Sequence, residues 1–196
     1  MPRKSSPRIP PNGAEFRRRL LRWFRRHGRD LPWRRTRDPY HVLVSEFMLQ
    51  QTQVSRVEEF YGRFLESYPT IRHLAKAPPA AVRESWNGLG YYRRAANLHN
   101  LARTVVDQHG GVIPSDPAEL LTLPGVGRYT AGAVASFAYE RPAAAVDTNV
   151  ARVLRRVFHP RARGAGGERK LWATATALLP RRGPTAWAFN QAVMEL

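Results

Sequence analysis

Two acidic residues stand where carboxyl chemistry is possible. Glu46 lies among apolar residues in 44–53, where an ion is costly, so its pKa is expected to rise. Asp147 lies in 146–150, where a helix should begin, with Asn149 as a polar neighbour. A carboxylic acid paired with an ionised carboxylate is an arrangement that cleaves glycosidic bonds. The alternatives are a solvent-facing helix position for Glu46 and a helix N-cap for Asp147.

A third feature is a two-glycine turn. The sequence LPGVGRYT at 123–130, followed by AGAVASFA, predicts a helix, a tight turn and a second helix. Gly125 and Gly127 would let the backbone approach a phosphate, and the turn residues Val126 and Arg128 complete the candidate contact. Such a hairpin grips the DNA backbone without reading sequence. An ordinary turn between two helices is the alternative.

The charge of the chain favours a nucleic-acid partner. Its 196 residues include 32 Lys and Arg against 15 Asp and Glu, a formal net charge of +17. An excess of that size indicates a polyanionic partner. A ribosomal or chromatin-like protein, or an arginine-rich genome composition, is the alternative. Only Lys4, Lys76 and Lys170 are lysines, which leaves 32 − 3 = 29 arginines.

Several classes of site and location are disfavoured by composition. With no cysteine, these residues can form no disulfide, thiolate zinc site or iron–sulfur cluster. The six histidines form no H-x-x-x-H or H-x-H pair, which disfavours a zinc enzyme. No apolar run approaches the length of a membrane span, and the basic N-terminus lacks the apolar region of a secretory signal. We expect a soluble, intracellular protein.

The elements that position these residues are expected to be helices. Apolar residues recur at helical spacing, and no alternating run of strand length is present, so the fold class is predicted to be all-α with about ten short helices. Residues 1–13 are expected to form a disordered basic tail and 160–169 a flexible basic loop. The expected helices are 14–27, a mostly helical stretch over 40–68, 70–76, 79–86, 93–109, a short helix from 117, 129–139, 149–158, 168–179 and 184–196.

Five stretches together resemble the adenine DNA glycosylases (MutY) of the helix-hairpin-helix/GPD superfamily. The resemblance covers roughly residues 15–196, and the stretches are LPWR at 31–34, SEFMLQQTQV at 45–54, NGLGYYRRAANLH at 87–99, LPGVGRYTAGAVASFAY at 123–139 and VDTNVARVLRRVF at 146–158. It implies a base-excision repair enzyme that acts on double-stranded DNA, and we expect a monomer in the bacterial cytoplasm, associated with the nucleoid. Such an enzyme flips out an adenine mispaired with 8-oxoguanine or guanine and hydrolyses its N-glycosidic bond.

The same resemblance implies a two-lobed fold. A six-helix barrel lobe is expected over 31–145, with the helix-hairpin-helix at about 117–138. A second lobe is expected from 14–30 together with 146–196. The family's DNA cleft lies between the lobes.

The resemblance also implies roles for individual residues. Glu46 matches the general acid that protonates adenine N7 and later positions water, and Asp147 matches the carboxylate that stabilises the sugar cation, through a transient covalent bond. Tyr129 and Asn149 match residues that support this centre. The adenine pocket is matched by Arg34, Leu49 and Gln191. Residues that wedge into the duplex or contact the opposite base are matched by Gln51, Thr52 and Tyr91. The amides of the hairpin match a phosphate grip that a monovalent cation often completes.

The sequence departs from the family at its end. Relatives continue from a helix like 189–196 into a four-cysteine loop that holds a [4Fe–4S] cluster, and then into a domain that recognises 8-oxoguanine. This chain stops at Leu196, so we expect a truncated product rather than a form that has lost its cluster. Without those parts, Trp187, Phe189 and Val193 are expected to be less covered, and discrimination of 8-oxoguanine from guanine is in doubt. A milder departure is Thr148, which is glycine in many relatives.

Three other functions compete with adenine removal. An endonuclease III-like glycosylase/lyase needs an amine, which such relatives place where Tyr129 stands, and no lysine lies near the hairpin. A G:T or G:U mismatch thymine/uracil glycosylase can carry Tyr there, but its leaving group does not need an acid such as Glu46. A pure DNA-binding module is disfavoured because both Glu46 and Asp147 are present, whereas a catalytically dead fragment stays open because the sequence stops at Leu196.

Overall fold

The computed structural model describes residues 8–196, and within them the fold is all-α, as predicted. Those residues divide into two compact units, one formed by 30–139 and the other by the residues up to Arg29 together with 140–196. Eleven α-helices and one 3-10 helix are present in the described part of the chain: α1 Gly13–His27, the 3-10 helix Pro32–Arg34, α2 Pro39–Leu49, α3 Val54–Ser67, α4 Ile71–Lys76, α5 Pro79–Glu84, α6 Arg93–His109, α7 Pro117–Leu120, α8 Arg128–Phe137, α9 Thr148–Phe158, α10 Gly164–Leu178 and α11 Gly183–Glu195.

Helix α2 is the central helix of the unit 30–139. It begins where Asp38 accepts a hydrogen bond from the Tyr40 N–H at 2.8 Å, with Pro39 at the first helical position. Residues 42–48 are all buried, and α2 packs against α3, α6 and α8. A helix that is enclosed on all sides carries its polar residues into the interior. Glu46 is therefore placed inside this unit rather than on its surface.

The mostly helical stretch predicted over 40–68 is interrupted. Helix α2 ends at Leu49 and α3 begins at Val54, with Gln51 between them at a φ of 57°. A left-handed residue cannot continue a right-handed helix. No glycine or proline marks this break, which is why helical periodicity alone missed it.

The unit that contains the chain ends has its own apolar core. Helix α1 packs against α10 and α11, and α9 packs against the same two helices. Leu20, Leu154 and Leu171 lie in that core. Phe189 and Val193 are each 2% exposed, so the expectation that they would be less covered is wrong for these two residues, whereas Trp187 is half-buried. Phe189 and Val193 are covered because α11 presents them to α1 and α9.

Two predicted irregular segments differ from the structure. Helix α10 begins at Gly164, so the second half of the loop expected over 160–169 is helical. Of the tail expected over 1–13, residues 1–7 lie outside the described residues, and the remainder ends in a turn that leads into α1. In that turn the Gly13 N–H donates to the Pro10 carbonyl at 2.9 Å.

Candidate active site and DNA-binding hairpin

Glu46 is a buried carboxyl group on α2. It is 3% exposed, so the alternative in which it faces solvent is wrong. The adjacent Phe47 reaches the hairpin turn, where its ring lies close to Gly125. A carboxyl group at this depth can hold and transfer a proton where bulk water is excluded. Glu46 thus meets the physical requirement for a general acid.

Asp147 is the N-cap of α9. One of its carboxylate oxygens accepts the Val150 N–H at 2.7 Å, and the other accepts the side-chain amide of Asn149 at 3.2 Å. Both contacts lie at the helix start and fix the orientation of the carboxyl group. The expectation that Asp147 could be a helix N-cap is therefore confirmed. Capping does not exclude a catalytic role, because the same two hydrogen bonds orient the carboxylate.

Asp147 also lines a cleft within its own unit. The cleft has a volume of about 520 Å³ and lies beside α9 and the start of α10. Residues from both helices line it, among them Arg155, Glu168 and Trp172. Solutes can therefore approach the carboxylate region. No spacing or motif in the sequence marks these lining residues, and sequence reasoning missed them.

The two glycines of the hairpin turn have different reasons to be glycine. Gly125 has a φ of 75°, and a Cβ there would lie 2.8 Å from the Asn97 Cβ and 3.1 Å from the Phe47 Cε1. The turn itself therefore requires glycine at 125. Gly127 has a φ of −92°, and a Cβ there would meet no atom within 4 Å. Nothing in the fold requires glycine at 127, so its missing side chain leaves open space for an external group.

The other hairpin residues differ in how far a ligand could reach them. Val126 is 8% exposed, and its N–H donates to the Leu123 carbonyl at 3.2 Å, so it closes the turn. Arg128 is exposed and opens α8, whose first N–H groups have no acceptor within the helix. Tyr129 is half-buried in that same first turn.

The expected wedge residues sit on two strained turns. Gln51 is exposed with a φ of 57°, and the neighbouring Thr52 is half-buried. Tyr91 has a φ of 47° and is 61% exposed, just before α6. Left-handed conformations in residues other than glycine are uncommon and cluster at functional sites. Sequence reasoning missed Arg94, a buried arginine whose side chain touches both turns.

The remaining predicted pocket residues fall in separate units. Arg34 is half-buried in the 3-10 helix, and Leu49 is half-buried at the end of α2, both in the unit that holds Glu46. Gln191 is 5% exposed on α11, in the unit that holds Asp147.

The residues do not fit the iron–sulfur cluster that the family resemblance implies. Such clusters are held by cysteine thiolates, and the chain has no cysteine. Among residues 8–196, no group of three or more His, Asp or Glu side chains could hold a metal ion. A monovalent cation at the hairpin stays a prediction. Within the same range, no helix is long and apolar enough to cross a membrane.

Residues 44–174 match the family model for the HhH-GPD superfamily of base excision DNA repair proteins. This segment includes α2, the hairpin, Glu46 and Asp147. The chain belongs to the HhH-GPD superfamily.

Particular members of that superfamily are closely similar. The adenine DNA glycosylase of Mycolicibacterium smegmatis is 47% identical over 178 residues, which are 90% of this chain and 60% of that protein. The chain thus spans about 60% of the length of this relative. The structure of a thermostable thymine-DNA glycosylase is similar at a TM-score of 0.85 and 33% identity, covering 94% of this chain and 85% of the other. A non-covalent endonuclease III–DNA complex is similar at a TM-score of 0.77 and 27% identity, covering 91% and 81%.

Proposed function

We propose that this chain removes adenine from double-stranded DNA by hydrolysing its N-glycosidic bond. The observation that carries this proposal is the buried Glu46 carboxyl on α2, because a purine leaving group benefits from a protonated acid. The similarity to adenine DNA glycosylases supports the choice of base. The adenine is proposed to be one mispaired with 8-oxoguanine or guanine.

The proposed reaction assigns one role to each carboxyl group. Glu46 donates its proton to adenine N7, the bond between C1′ and N9 breaks, and neutral adenine leaves with the bonding electrons. Asp147 stabilises the positive charge that develops on the sugar, since its carboxylate is oriented by Val150 and Asn149. Glu46 then positions a water and accepts its proton as the oxygen adds to C1′. The products are free adenine and an abasic site.

The proposed enzyme is monofunctional. A lyase cleaves the DNA strand through a Schiff base, which needs an amine. The residue at the relevant position of the hairpin helix is Tyr129, a phenol that cannot form one. Tyr129 is instead proposed to support the catalytic centre together with Asn149. Strand breaks should therefore follow only when alkali opens the abasic product.

The proposed DNA contacts are divided between hairpin and turns. The open space at Gly127 and the exposed Arg128 would receive a phosphate, aided by the amide of Gly125 and a monovalent cation. Gln51, Thr52 and Tyr91 are proposed to enter the duplex. Val126 is assigned to closing the turn, because its N–H already has an acceptor. Arg34, Leu49 and Gln191 are proposed to surround the adenine.

The proposal also covers the oligomeric state, the location and the two lobes. We propose a monomer that works on the DNA of the bacterial nucleoid. The compact unit 30–139 is proposed to correspond to the barrel lobe of the family, with its hairpin at α7 and α8. The residues up to Arg29 with 140–196 would correspond to the second lobe.

Thymine removal is the second candidate. It is favoured by the similarity to the thermostable thymine-DNA glycosylase, which spans most of both chains. The buried acid favours adenine over thymine, because thymine leaves as an anion without protonation at a ring nitrogen of this kind.

A panel of duplexes tests the proposal. Duplexes that contain 8-oxoguanine:A, G:A, G:T, G:U or thymine glycol are incubated with the protein, and strand cleavage is measured with and without hot alkali. We expect alkali-dependent cleavage at adenine in the first two duplexes alone. Glu46→Gln should lose it, whereas the exposed Glu66→Gln on α3 should retain it. Cleavage of the G:T duplex in place of G:A would establish the second candidate.

A further inference from the structure

Arg94 is a buried cation without an anionic partner. It is 6% exposed, stands in the first turn of α6, and pairs with no carboxylate among the residues that the structure describes. Burial lowers the pKa of its guanidinium group. Leaving such a charge unpaired is costly unless many polar groups surround it. The surroundings of Arg94 therefore indicate what it does.

The guanidinium of Arg94 spans two segments of the chain. Each of its two terminal nitrogens donates hydrogen bonds to a different segment. Nη1 donates to the carbonyls at the end of α2, which are Phe47 at 3.1 Å, Met48 at 2.6 Å and Gln50. Nη2 donates to the carbonyls of the turn before α6, which are Leu89 and Gly90, each at 3.1 Å. Five backbone carbonyls thus share one side chain, which the planar fork of arginine permits and the compact ammonium of lysine does not.

Two further contacts involve the same segments, and the second of them joins the two. The Arg94 guanidinium lies 5.5 Å from the centre of the Tyr91 ring. Arg56, two residues into α3, donates to the Gly88 carbonyl at 3.2 Å. The segment from α2 to α3 and the segment before α6 are therefore linked on both sides of Gln51.

The physical basis of the Arg94 contacts is the end of α2. The last carbonyls of a helix lack partners within the helix and carry its partial negative charge. Phe47 and Met48 supply such carbonyls, one and two residues after Glu46. Arg94 satisfies them at the point where α2 ends, immediately before the left-handed Gln51.

We propose that Arg94 is a positioning residue that holds the Gln50–Thr52 turn and the Leu89–Tyr91 turn as one rigid device for extruding the target base. The inference rests on the proposed function, since it takes Gln51, Thr52 and Tyr91 as the residues that enter the duplex. Left-handed Gln51 and Tyr91 are conformations that need support from their surroundings. Arg94 supplies that support to both turns at once, without touching DNA itself.

Base extrusion can be measured separately from bond cleavage. The target adenosine carries a 2′-fluorine, which disfavours a cationic sugar and blocks cleavage, and 2-aminopurine stands on its 3′ side. Unstacking of the fluorescent base then reports extrusion. Arg94→Lys and Arg94→Met are compared with Leu101→Ala, a fully buried site on the same helix about two turns beyond Arg94. All are measured at saturating protein, well below their unfolding temperatures.

We expect both Arg94 variants to lower the extrusion rate by on the order of 100-fold. A loss of that size is typical when functional groups are displaced by about 1 Å. Leu101→Ala should retain the wild-type rate although it unfolds at a lower temperature. Wild-type extrusion in either Arg94 variant would overturn the inference, as would an equal loss in Leu101→Ala. The wild-type protein is assayed in parallel on the duplex without fluorine. If it removes thymine from G:T rather than adenine, the proposed function fails, and the same comparison on a G:T duplex still decides the role of Arg94.

Discussion

Glu46 and Asp147 are both acidic residues, but the fold treats them in opposite ways. Glu46 is buried within α2 in the unit 30–139. Asp147 caps α9 in the other unit, half-buried, with backbone and side-chain donors on its oxygens. Burial opposes a charge, whereas a helix start supports one. In the proposed reaction, therefore, environment rather than residue type separates the proton donor from the charged stabiliser.

The largest expected effect is at the buried carboxyl group. Glu46→Gln keeps the shape of the side chain and removes the proton that it can give. We expect the single-turnover rate of adenine removal to fall by about 10²- to 10⁴-fold, the usual contribution of a general acid. Affinity for a non-cleavable mismatch duplex should be nearly unchanged, because the acid acts on the transition state. A variant that no longer binds DNA would instead make Glu46 a structural residue.

Two substitutions separate the N-cap role of Asp147 from its proposed role in stabilising the sugar cation. Asparagine is a good N-cap without charge, so Asp147→Asn should lose about 10²- to 10³-fold in rate with an unchanged unfolding temperature. Asp147→Ala should lose activity to the same degree and about 1 kcal/mol of stability as well. Thermal unfolding and single-turnover cleavage are measured on both variants. Full activity in Asp147→Asn would show that the residue only caps α9.

The two hairpin glycines differ in the same way as the two acidic residues, because Gly125 is enclosed by other atoms and Gly127 faces open space. Gly125→Ala must adopt a positive φ and meet Asn97, so we expect a loss of about 1–3 kcal/mol in stability. Gly127→Ala meets open space and should cost under about 1 kcal/mol. Its affinity for duplex DNA should nevertheless fall about tenfold, because a methyl group obstructs a charge-assisted contact with phosphate. Unchanged DNA affinity in Gly127→Ala would remove the hairpin from the DNA interface.

The smallest expected effect concerns a buried residue that takes no part in the proposed chemistry. Burial lowers the pKa of His99 from its ordinary value of 6.5, against the opposing effect of the Ala75 and Ala77 carbonyls. Just below pH 6.5, His99 is protonated more readily in the unfolded chain than in the folded one. The free energy of unfolding should therefore fall as the pH drops below about 6.5. The slope from this one group is at most about 1.4 kcal/mol per pH unit. Denaturant unfolding between pH 7.5 and 5 measures it, and a slope unchanged in His99→Gln would refute the assignment.

Much of the fold follows from local sequence signals. Helix α6 has the bounds that its apolar stripe and the following glycines predict, 93–109. The break at 50–53 was not predictable in that way. It depends on Arg94, which lies more than forty residues away in the sequence and stabilises the end of α2. A long-range contact of this kind leaves no mark on local periodicity.

The candidate site shows a similar division. The turn sequence around Gly125 and Gly127 predicts a hairpin, because glycine permits conformations that other residues avoid. Which glycine serves the turn and which one leaves open space depends on Asn97 and Phe47, which pack against the turn from elsewhere in the chain. The burial of Glu46 likewise follows from the enclosure of α2 by three other helices.

The proposed removal of adenine is tested most directly by identifying the base that the protein releases. A duplex with adenine opposite 8-oxoguanine is incubated with wild-type protein under single-turnover conditions. The released base is identified by liquid chromatography, and a parallel sample receives borohydride. We expect one free adenine per abasic site formed, an intact strand before alkali, and no protein–DNA adduct. Release of thymine from G:T with adenine left in place, or a borohydride-trapped adduct, would contradict this proposal.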